Sequence, residues 1–514
     1  MPYQVWAKRR ETVGTEVELK LVTSHSALRK AMALPWLRKM AGETVKHQHL
    51  TSVHFDTPKL TLRDHGVSLR VRRAGDHRLQ TIKATSGALV TRDEWEQSIE
   101  GDQPKLELAG KTALAPLLNG KIKDQLQPVF ETDVDRVMML LRVGTSDIEL
   151  ALDTGRINTA DDHADINEIE IELKHGERHR AVMLARRLAR SVPLTYEPRA
   201  KSERGYAILE GSLDGPVFAR SISIQPSATA EDAFVVIGFE CLRHFAANET
   251  AVRRSDPEGI HQMRVGLRRL RAALSLFKEL LQGSDFSKLK VGLVWLTEQL
   301  GPARDYEVLV SKTLGPLRSN HHDEEKLAAL EKDLDNHRKA ALAAAKAAVE
   351  SEKFRQLLLD TALWLFDGDW RNNADALEAS LRKQPIGPFA KQELTRRMRK
   401  IAKGARKLRT MDPRRRHKLR IAVKKVRYAR EFFESLRPDG RGRKTDRALK
   451  DLQSALGSLN DMTVHSRLGH GLARINSATR KAYAVGYLIG QEDARSGRTV
   501  SEAIQAGKHL RHAT

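Results

Sequence analysis

Glu16, Glu18 and Lys20 stand two residues apart in Glu-Val-Glu-Leu-Lys. On a β-strand both carboxylates and the ammonium then share one face, while Val17 and Leu19 take the other. The same division returns along the first two hundred residues. Arg70 and Arg72 alternate with Leu69 and Val71, and Arg92, Glu94 and Glu96 surround Trp95. Glu149 and Asp153 oppose Ile148, Leu150 and Leu152, and Glu168, Glu170, Glu172 and Lys174 oppose Ile169, Ile171 and Leu173. A single E-x-E-x-K is common on any water-exposed strand, so the recurrence carries the argument. A face charged on strand after strand is either bathed in solvent or rolled into a barrel interior. In an interior, like charges need a ligand: the carboxylates call for divalent cations and the Lys and Arg for phosphate oxygens.

A second set of charged residues has a different character. His261-Gln-Met-Arg-Val-Gly-Leu-Arg-Arg-Leu-Arg271 aligns with His417-Lys-Leu-Arg-Ile-Ala-Val-Lys-Lys-Val-Arg427, and Leu300-Gly301 with Asp305 aligns with Leu456-Gly457 and Asp461, always 156 positions apart. A constant offset over separated motifs predicts two homologous helical halves about a pseudo-two-fold axis. On a helix at about 100° per residue, His261, Arg264, Arg268 and Arg271 fall within an arc of about 80°, opposite Met263, Leu267, Leu270, Leu274 and Phe277. His417, Arg420, Lys424 and Arg427 form the same stripe in the copy. Two cationic stripes facing each other repel unless a linear polyanion lies between them. Asp305 and Asp461 are expected to cap the helices they precede or to orient an arginine. Cys241, the only cysteine, reads as an inert helix residue, and its solitude excludes an internal disulfide or a thiolate metal cluster.

The elements that must hold these residues follow from periodicity. From Thr15 to about Tyr206 the pattern has period 2, interrupted by helical stretches around Ser26 to Met40 and Glu177 to Arg190. From about Glu231 onward the apolar period is helical, including one long helix over Asp323 to Glu352. Between them, Gly211, Gly215, Pro216 and Pro226 mark a linker. The predicted organisation is an α+β domain over 1–207, a linker over 208–230 and an all-α domain over 231–508, with repeats over about 231–385 and 386–508. Charge divides the same way. Of the 89 Lys+Arg and 66 Asp+Glu, residues 1–210 hold 33 and 30, leaving 56 and 36 downstream, a net of +20 out of the whole chain's +23. Such an excess marks a strongly negative partner. Aromatic residues that could stack on bases are almost absent from the stripes apart from Tyr428, which argues against RNA. No apolar run approaches 18 residues, so no membrane span is expected, and a cytoplasmic location is.

The first set of residues closely resembles the CYTH domain of triphosphate tunnel metalloenzymes. The resemblance rests on Glu16, Glu18 and Lys20, on Phe55-Asp56-Thr57-Pro58 with Leu60 and Leu62, and on Gly66-Val-Ser-Leu-Arg-Val-Arg72. Lys83, Arg92-x-Glu94-x-Glu96, Arg136, Asp153, Glu170-x-Glu172 and Lys201-Ser202 with Arg204-Gly205-Tyr206 follow in order, where that family's later strands would stand. It implies an eight-stranded antiparallel tunnel with flanking helices, in which Lys20, Arg70, Arg72, Lys83, Arg92, Arg136 and Lys201 bind phosphate. Glu16, Glu18, Glu170 and Glu172 would ligate Mg²⁺ or Mn²⁺, with Glu94, Glu96 and Asp153 as further ligands, and Glu16, Glu18 and Lys20 would be catalytic. The expected reaction is hydrolysis of inorganic triphosphate. His54-Phe55 departs from the family, many of whose members carry tyrosines before the Asp-Thr pair. The second set resembles the CHAD domain, a helical module linked to inorganic polyphosphate, which would assign polyphosphate binding to His261, Arg264, Arg268, Arg271, His417, Arg420, Lys424 and Arg427. A class IV adenylate cyclase or another organic triphosphatase remains an alternative on the same tunnel, and a non-catalytic polyphosphate or RNA scaffold is a third.

Overall fold

A computed structural model of the chain describes residues 18–88, 91–118, 120–314, 324–371, 376–437, 442–475, 490 and 497–510; for 85–88, 91–93, 312–314, 324–330, 376 and 463–475 the backbone alone is described. The chain divides into two compact units, one of residues 1–216 with 355–368 and one of residues 217–354 with 369–514.

The first unit is built on antiparallel strands β1 (Glu18–Val22), β2 (Lys46–Asp56), β3 (Val67–Ala74), β4 (His77–Ala88), β5 (Thr91–Ser98), β6 (Gln127–Val143), β7 (Ser146–Asn158), β8 (His163–His175) and β9 (Thr195–Tyr196). They pair in the order β5-β4-β3-β2-β6-β7-β8-β1-β9. The expectation of eight strands is thus corrected to nine. The extra strand is a two-residue pairing, Leu21 with Tyr196 and Val22 with Thr195, which covers the edge of β1. No pairing among the described residues joins β5 to β9, so a closed barrel is not seen.

Alternation sets the two faces of this sheet. Leu19, Leu21, Ile169 and Ile171 are buried, and helices α1 (His25–Met32), α2 (Pro35–Ala41) and α5 (Arg178–Ser191) pack against β6, β7 and β8. The helix expected around Ser26 to Met40 is two helices, because Pro35 can begin a helix but cannot donate within one. A second apolar cluster gathers Phe55, Leu69, Val71 and Ile82 with Leu114 beneath strands β2 to β4. Two short helices, α3 (Thr61–Asp64) and α4 (Gly120–Gln125), lie in the connections. The Lys201 segment, expected among the strands, is instead a helix, α6 (Lys201–Leu209). Gly205 lets α6 lie on the sheet: a Cβ there would fall 2.3 Å from the Phe130 ring.

The second unit is helical. Its first half holds α7 (Ala230–Ala246), α8 (Glu249–Arg253), α9 (Pro257–Leu276) and α10 (Ser284–Val308), followed by α11 (Glu324–Glu350). Next come α12 (Glu352–Asp367), which straddles the boundary between units, α13 (Ala376–Lys383), α14 (Ile386–Arg406), α15 (Pro413–Phe432) and α16 (Arg443–Ile475), with a last helix over 497–510. The 156-residue offset is present in three dimensions. Asp256 and Asp412 cap α9 and α15, and a proline follows each as the first helical residue. Thr229 forms an isolated antiparallel bridge with Pro385, its own counterpart. Phe277 packs on Phe433, again its counterpart, with ring centroids 6.2 Å apart. A residue can touch its own equivalent only beside the symmetry axis, so these two contacts mark where the pseudo-two-fold runs.

Candidate functional site

On the charged face of the first unit the strand register brings opposite charges together. Lys20 on β1 pairs with Glu170 on β8, Glu168 with Asp153 on β7, and Asp153 with Arg136 on β6. Arg136 donates Nε to Asp153 Oδ1 at 2.7 Å, and its Nη2 reaches Asp153 Oδ2 and Glu170 Oε2, each at 2.6 Å. Lys201 opens α6 and places Nζ 2.9 Å from Asp153, 2.6 Å from Glu168 and 2.7 Å from Glu170. Lys20 Nζ stands 3.7 Å from Glu170, and Arg204 pairs with Glu168. A lysine at a helix N-terminus opposes the macrodipole; the three carboxylates offset that. Burial acts against the charge of Glu170, but Lys201, Arg136 and Lys20 outweigh it and hold its carboxyl well below the usual range. Burial likewise works against the Lys201 ammonium, and Glu168, Glu170 and Asp153 overcome it and raise its pKa.

A second group occupies β2 to β5. Lys83 Nζ lies 2.8 Å from Glu94, and Arg70 Nη2 lies 3.8 Å from Glu94 and 4.0 Å from Glu96. Burial opposes ionisation of Glu94, yet Lys83 and Arg70 bring its pKa down to about 2. Arg72 is treated differently. Its one hydrogen bond among the described residues runs from Nε to the Ser52 hydroxyl at 3.2 Å. Burial, with Arg70 and Arg136 adding repulsion, pushes its guanidinium down to about 9. Glu170 also acts on Arg72, although the two lie four strands apart along the ladder. On a flat sheet that would be about 19 Å, roughly two Debye lengths, so the charged face is concave.

Glu18, Glu149 and Glu172 form a third group, in register across β1, β8 and β7. Lys174 pairs with Glu172 and stands 3.6 Å from Glu149. Burial raises the Glu172 carboxyl, Lys174 opposes the rise, and Glu149 and Glu18 add to it. A divalent cation fits such donors. They are all carboxylate oxygens, which suits Mg²⁺ or Mn²⁺ and not a soft metal. Asp153, Glu168 and Glu170 can bring one oxygen each within 4.8 Å of one another, but the Lys201 ammonium already bonds to all three. Glu149 and Glu172 share Lys174, while no cation among the described residues pairs with Glu18, so this group carries an excess of negative charge. Among the described residues only Asp153, Glu168 and Glu170 converge closely enough to share one hard cation, and in the other group Lys174 already pairs with two of the three acids.

The structure brings together Glu18, Lys20, Arg70, Arg72, Lys83, Glu94, Glu96, Arg136, Asp153, Glu170, Glu172 and Lys201 on one concave face. Glu16 and the side chain of Arg92 lie outside the described residues. Asp56 serves structure: fully buried, it accepts from the backbone N–H groups of Thr57, Leu62 and Arg63 and from the Tyr206 hydroxyl at 2.7 to 3.0 Å. Sequence reasoning left out Glu168, an alternation partner of Glu170 that is fully buried between Lys201 and Arg204. Asp153 is likewise fully buried.

In the second unit α9 and α15 pack against each other, and their stripes converge. Arg268 acts repulsively on Arg420 and Lys424, and Arg264 on Lys424, which is the pairing a two-fold axis between the helices demands. Burial, with Arg420 and Arg268 adding repulsion, pushes the Lys424 ammonium down to about 7. Burial also lowers Arg264 to about 10 and, with Arg304 and Arg268, His261 to about 4. Arg264 lies 3.8 Å from Asp305 and Arg420 lies 3.8 Å from Asp461, the same contact in both halves. Both aspartates sit inside α10 and α16, so the capping expectation is corrected: they orient arginines. Gly301 lies in the same helix, where its missing side chain leaves Arg264 Nη1 3.2 Å from the Cβ position. His417 bonds to Asn460 at 2.5 Å, Arg271 donates to Thr297 at 3.4 Å, and Arg427 is partly exposed on the same helix.

Comparison with known proteins agrees with this division. The CYTH domain model matches residues 14–206 and the CHAD domain model residues 237–469. A curated inorganic triphosphatase from Haemophilus influenzae is 30% identical over 202 residues, which cover 38% of this chain and 54% of that protein, so the chain spans about half of its relative's length. The solved CHAD domain of the plant Ricinus communis is 32% identical, covers 57% of this chain and 96% of that one, and superposes with a TM-score of 0.50. A protein from Hippeastrum described as a putative adenylyl cyclase with dominant triphosphatase activity is 18% identical over 37% of this chain and 95% of that one, with a TM-score of 0.27. The chain therefore belongs to the CHAD family and carries, ahead of that helical domain, a CYTH domain.

Proposed function

We propose that the concave face of the first unit binds inorganic triphosphate with Mg²⁺ or Mn²⁺ and hydrolyses it to pyrophosphate and phosphate, and that the stripes of the second unit bind inorganic polyphosphate. The observation that carries the first part is Arg72: a half-buried guanidinium beside Arg70 and Arg136 whose hydrogen bond among the described residues goes to a hydroxyl and not to a carboxylate. Such a cation is costly unless an anion completes it. Arg70, Arg72 and Lys83 would hold one end of the triphosphate and Lys20, Arg136 and Lys201 the other, with Arg92 completing the set. Glu18, Glu170 and Glu172, with Glu16, would hold the metal, which when bound neutralises phosphate charge and readies water for in-line attack. Glu94 and Glu96 keep Lys83 and Arg70 in position, and Asp153 does the same for Arg136 and Lys201. The name of the Haemophilus relative supports inorganic triphosphate as substrate.

The working boundaries are 1–207 for the hydrolase, 208–230 for the linker and 231–508 for the polyanion module. A cytoplasmic location goes with substrates of this kind, and no helix among the described residues is long and apolar enough to cross a membrane. The test is phosphate release from tripolyphosphate, ATP and thiamine triphosphate with Mg²⁺, Mn²⁺ or chelator, alongside Glu18→Ala. Fastest release from tripolyphosphate, abolished by chelator and by the substitution, is the expected result. Cyclic AMP with pyrophosphate from ATP would make the domain a cyclase, and no turnover at all would make it a binding scaffold.

A further inference from the structure

His54 lies on the charged face yet has no part in the reading above. On β2 its neighbours Val53 and Phe55 enter the apolar cluster, so alternation turns His54 to the other side, directly across from Arg70 on β3. Its imidazole stacks on Phe130 with ring centroids 4.3 Å apart and planes within 17°. Phe130 in turn meets the Tyr206 ring edge-on at 5.1 Å. The ring is therefore held in one plane before any ligand arrives.

What surrounds this ring is unusual for a histidine. The residue is 3% exposed, and its Nδ1 has no hydrogen-bond partner among the described residues. Burial, reinforced by Arg70, Arg72 and Lys83, holds its pKa well below the ordinary value, so the ring is neutral. A neutral imidazole carries one N–H donor and one acceptor nitrogen. The three cations beside it can donate but cannot accept. The nearby acceptors Glu94 and Glu96 are taken up by Lys83 and Arg70, and an anion drawn in by the same three cations supplies one for the ring.

We propose that His54 is a further phosphate-binding residue: its imidazole donates an N–H to an oxygen of the phosphate group held by Arg70, Arg72 and Lys83. This rests on the triphosphate reading of the face. It adds a donor without adding charge, in a place where a fourth fixed cation would repel Arg70 and Arg72.

The test uses the full-length protein labelled with ¹⁵N-histidine and imidotriphosphate with Mg²⁺, an analogue of tripolyphosphate whose bridging N–H groups resist hydrolysis. His54→Phe keeps the stacking surface and removes both nitrogens; His54→Asn and His54→Gln restore a donor near the position of one nitrogen or the other. The expected result is a shift of the His54 ring ¹⁵N signals, assigned by their loss in His54→Phe, when the analogue binds. His54→Phe should weaken binding about tenfold or more, the worth of a hydrogen bond to a charged group, and one of the two amides should recover most of it. If the analogue binds but the His54 signals stay fixed and His54→Phe binds equally well, the proposal is overturned while the triphosphate reading stands. If the wild-type protein binds no analogue, the underlying reading fails and takes the proposal with it. Should His54→Phe fold poorly, His54→Asn or His54→Gln supplies the assignment and the wild-type ring signals decide.

Discussion

The two units hold charge in opposite ways. On the concave face of the CYTH domain, cations and carboxylates are interleaved, so that Lys201 alone bonds to three acids. On the CHAD stripes cations meet cations, and among the described residues Arg264 and Arg420 each have an aspartate, Asp305 or Asp461, at 3.8 Å. The pKa values record the difference: the interleaved ammonium of Lys201 is raised and the striped ammonium of Lys424 is lowered. An interleaved network can stand without a ligand and fixes its groups in place, as recognition of a compact ion with metals requires. A like-charged stripe stores unfavourable energy that a polyanion of any length relieves, which favours affinity over fine selection.

This contrast can be broken most forcefully at Lys201. Lys201→Met leaves the buried Asp153 and Glu168 and the half-buried Glu170 without their ammonium, and removal of one partner from a buried ion network costs about 3–5 kcal/mol. Urea unfolding followed on the CYTH domain should show that loss together with lost hydrolysis. Arg72→Ala should do the opposite to stability, because no carboxylate among the described residues is bonded to Arg72. Triphosphate hydrolysis should fall by about 10²–10³-fold, the usual cost of removing a donor to developing charge, with the unfolding midpoint unchanged or raised. In the CHAD domain, Arg268→Glu should lower polyphosphate affinity and flatten its decline with salt by about 0.7 to 0.9 in log–log slope for each phosphate no longer neutralised, if polyphosphate behaves as nucleic acids do.

The smallest effect sharpens the comparison through protons. Lys424 has a folded pKa of about 7, below its value in the unfolded chain. Between pH 7 and about 10 the unfolded state holds the extra proton, so stability of the CHAD domain should rise with pH across that window. Bound polyphosphate would restore the charge, and binding at pH 8 should take up a fraction of a proton. Calorimetry in buffers of different ionisation enthalpy measures that uptake, and Lys424→Arg should abolish it while binding persists.

Much of this was legible in the residues because period 2 and period 3.6 are visible wherever apolar positions repeat. Glu18, Lys20, Arg70, Arg72, Glu170 and Glu172 declare a common face by spacing alone. Glu168 and Asp153 share that spacing, but nothing in it distinguishes an acid buried under a lysine from one in water. The α6 segment was missed because Lys201 to Leu209 is short and its charged start resembles the strands before it. Strand β9 has only two residues, too few for any period. Asp305 misled for a different reason: it is expected ahead of a helix, whereas it lies inside one of 25 residues that also takes in Pro302. The halves of the CHAD domain were the most readable feature, since an offset of 156 residues survives any error in element boundaries.

The Thr229–Pro385 bridge and the Phe277–Phe433 contact bear on how such a domain could be taken apart. In a single chain they join two different residues; in a pair of half-length chains the same positions would be homotypic, each residue meeting itself. A substitution at one of them would then be made twice at one point in space, and its cost would count double. The covalent link removes that coupling, leaving each half free to vary alone, as the change from Arg268 and Arg269 in one half to Lys424 and Lys425 in the other already illustrates.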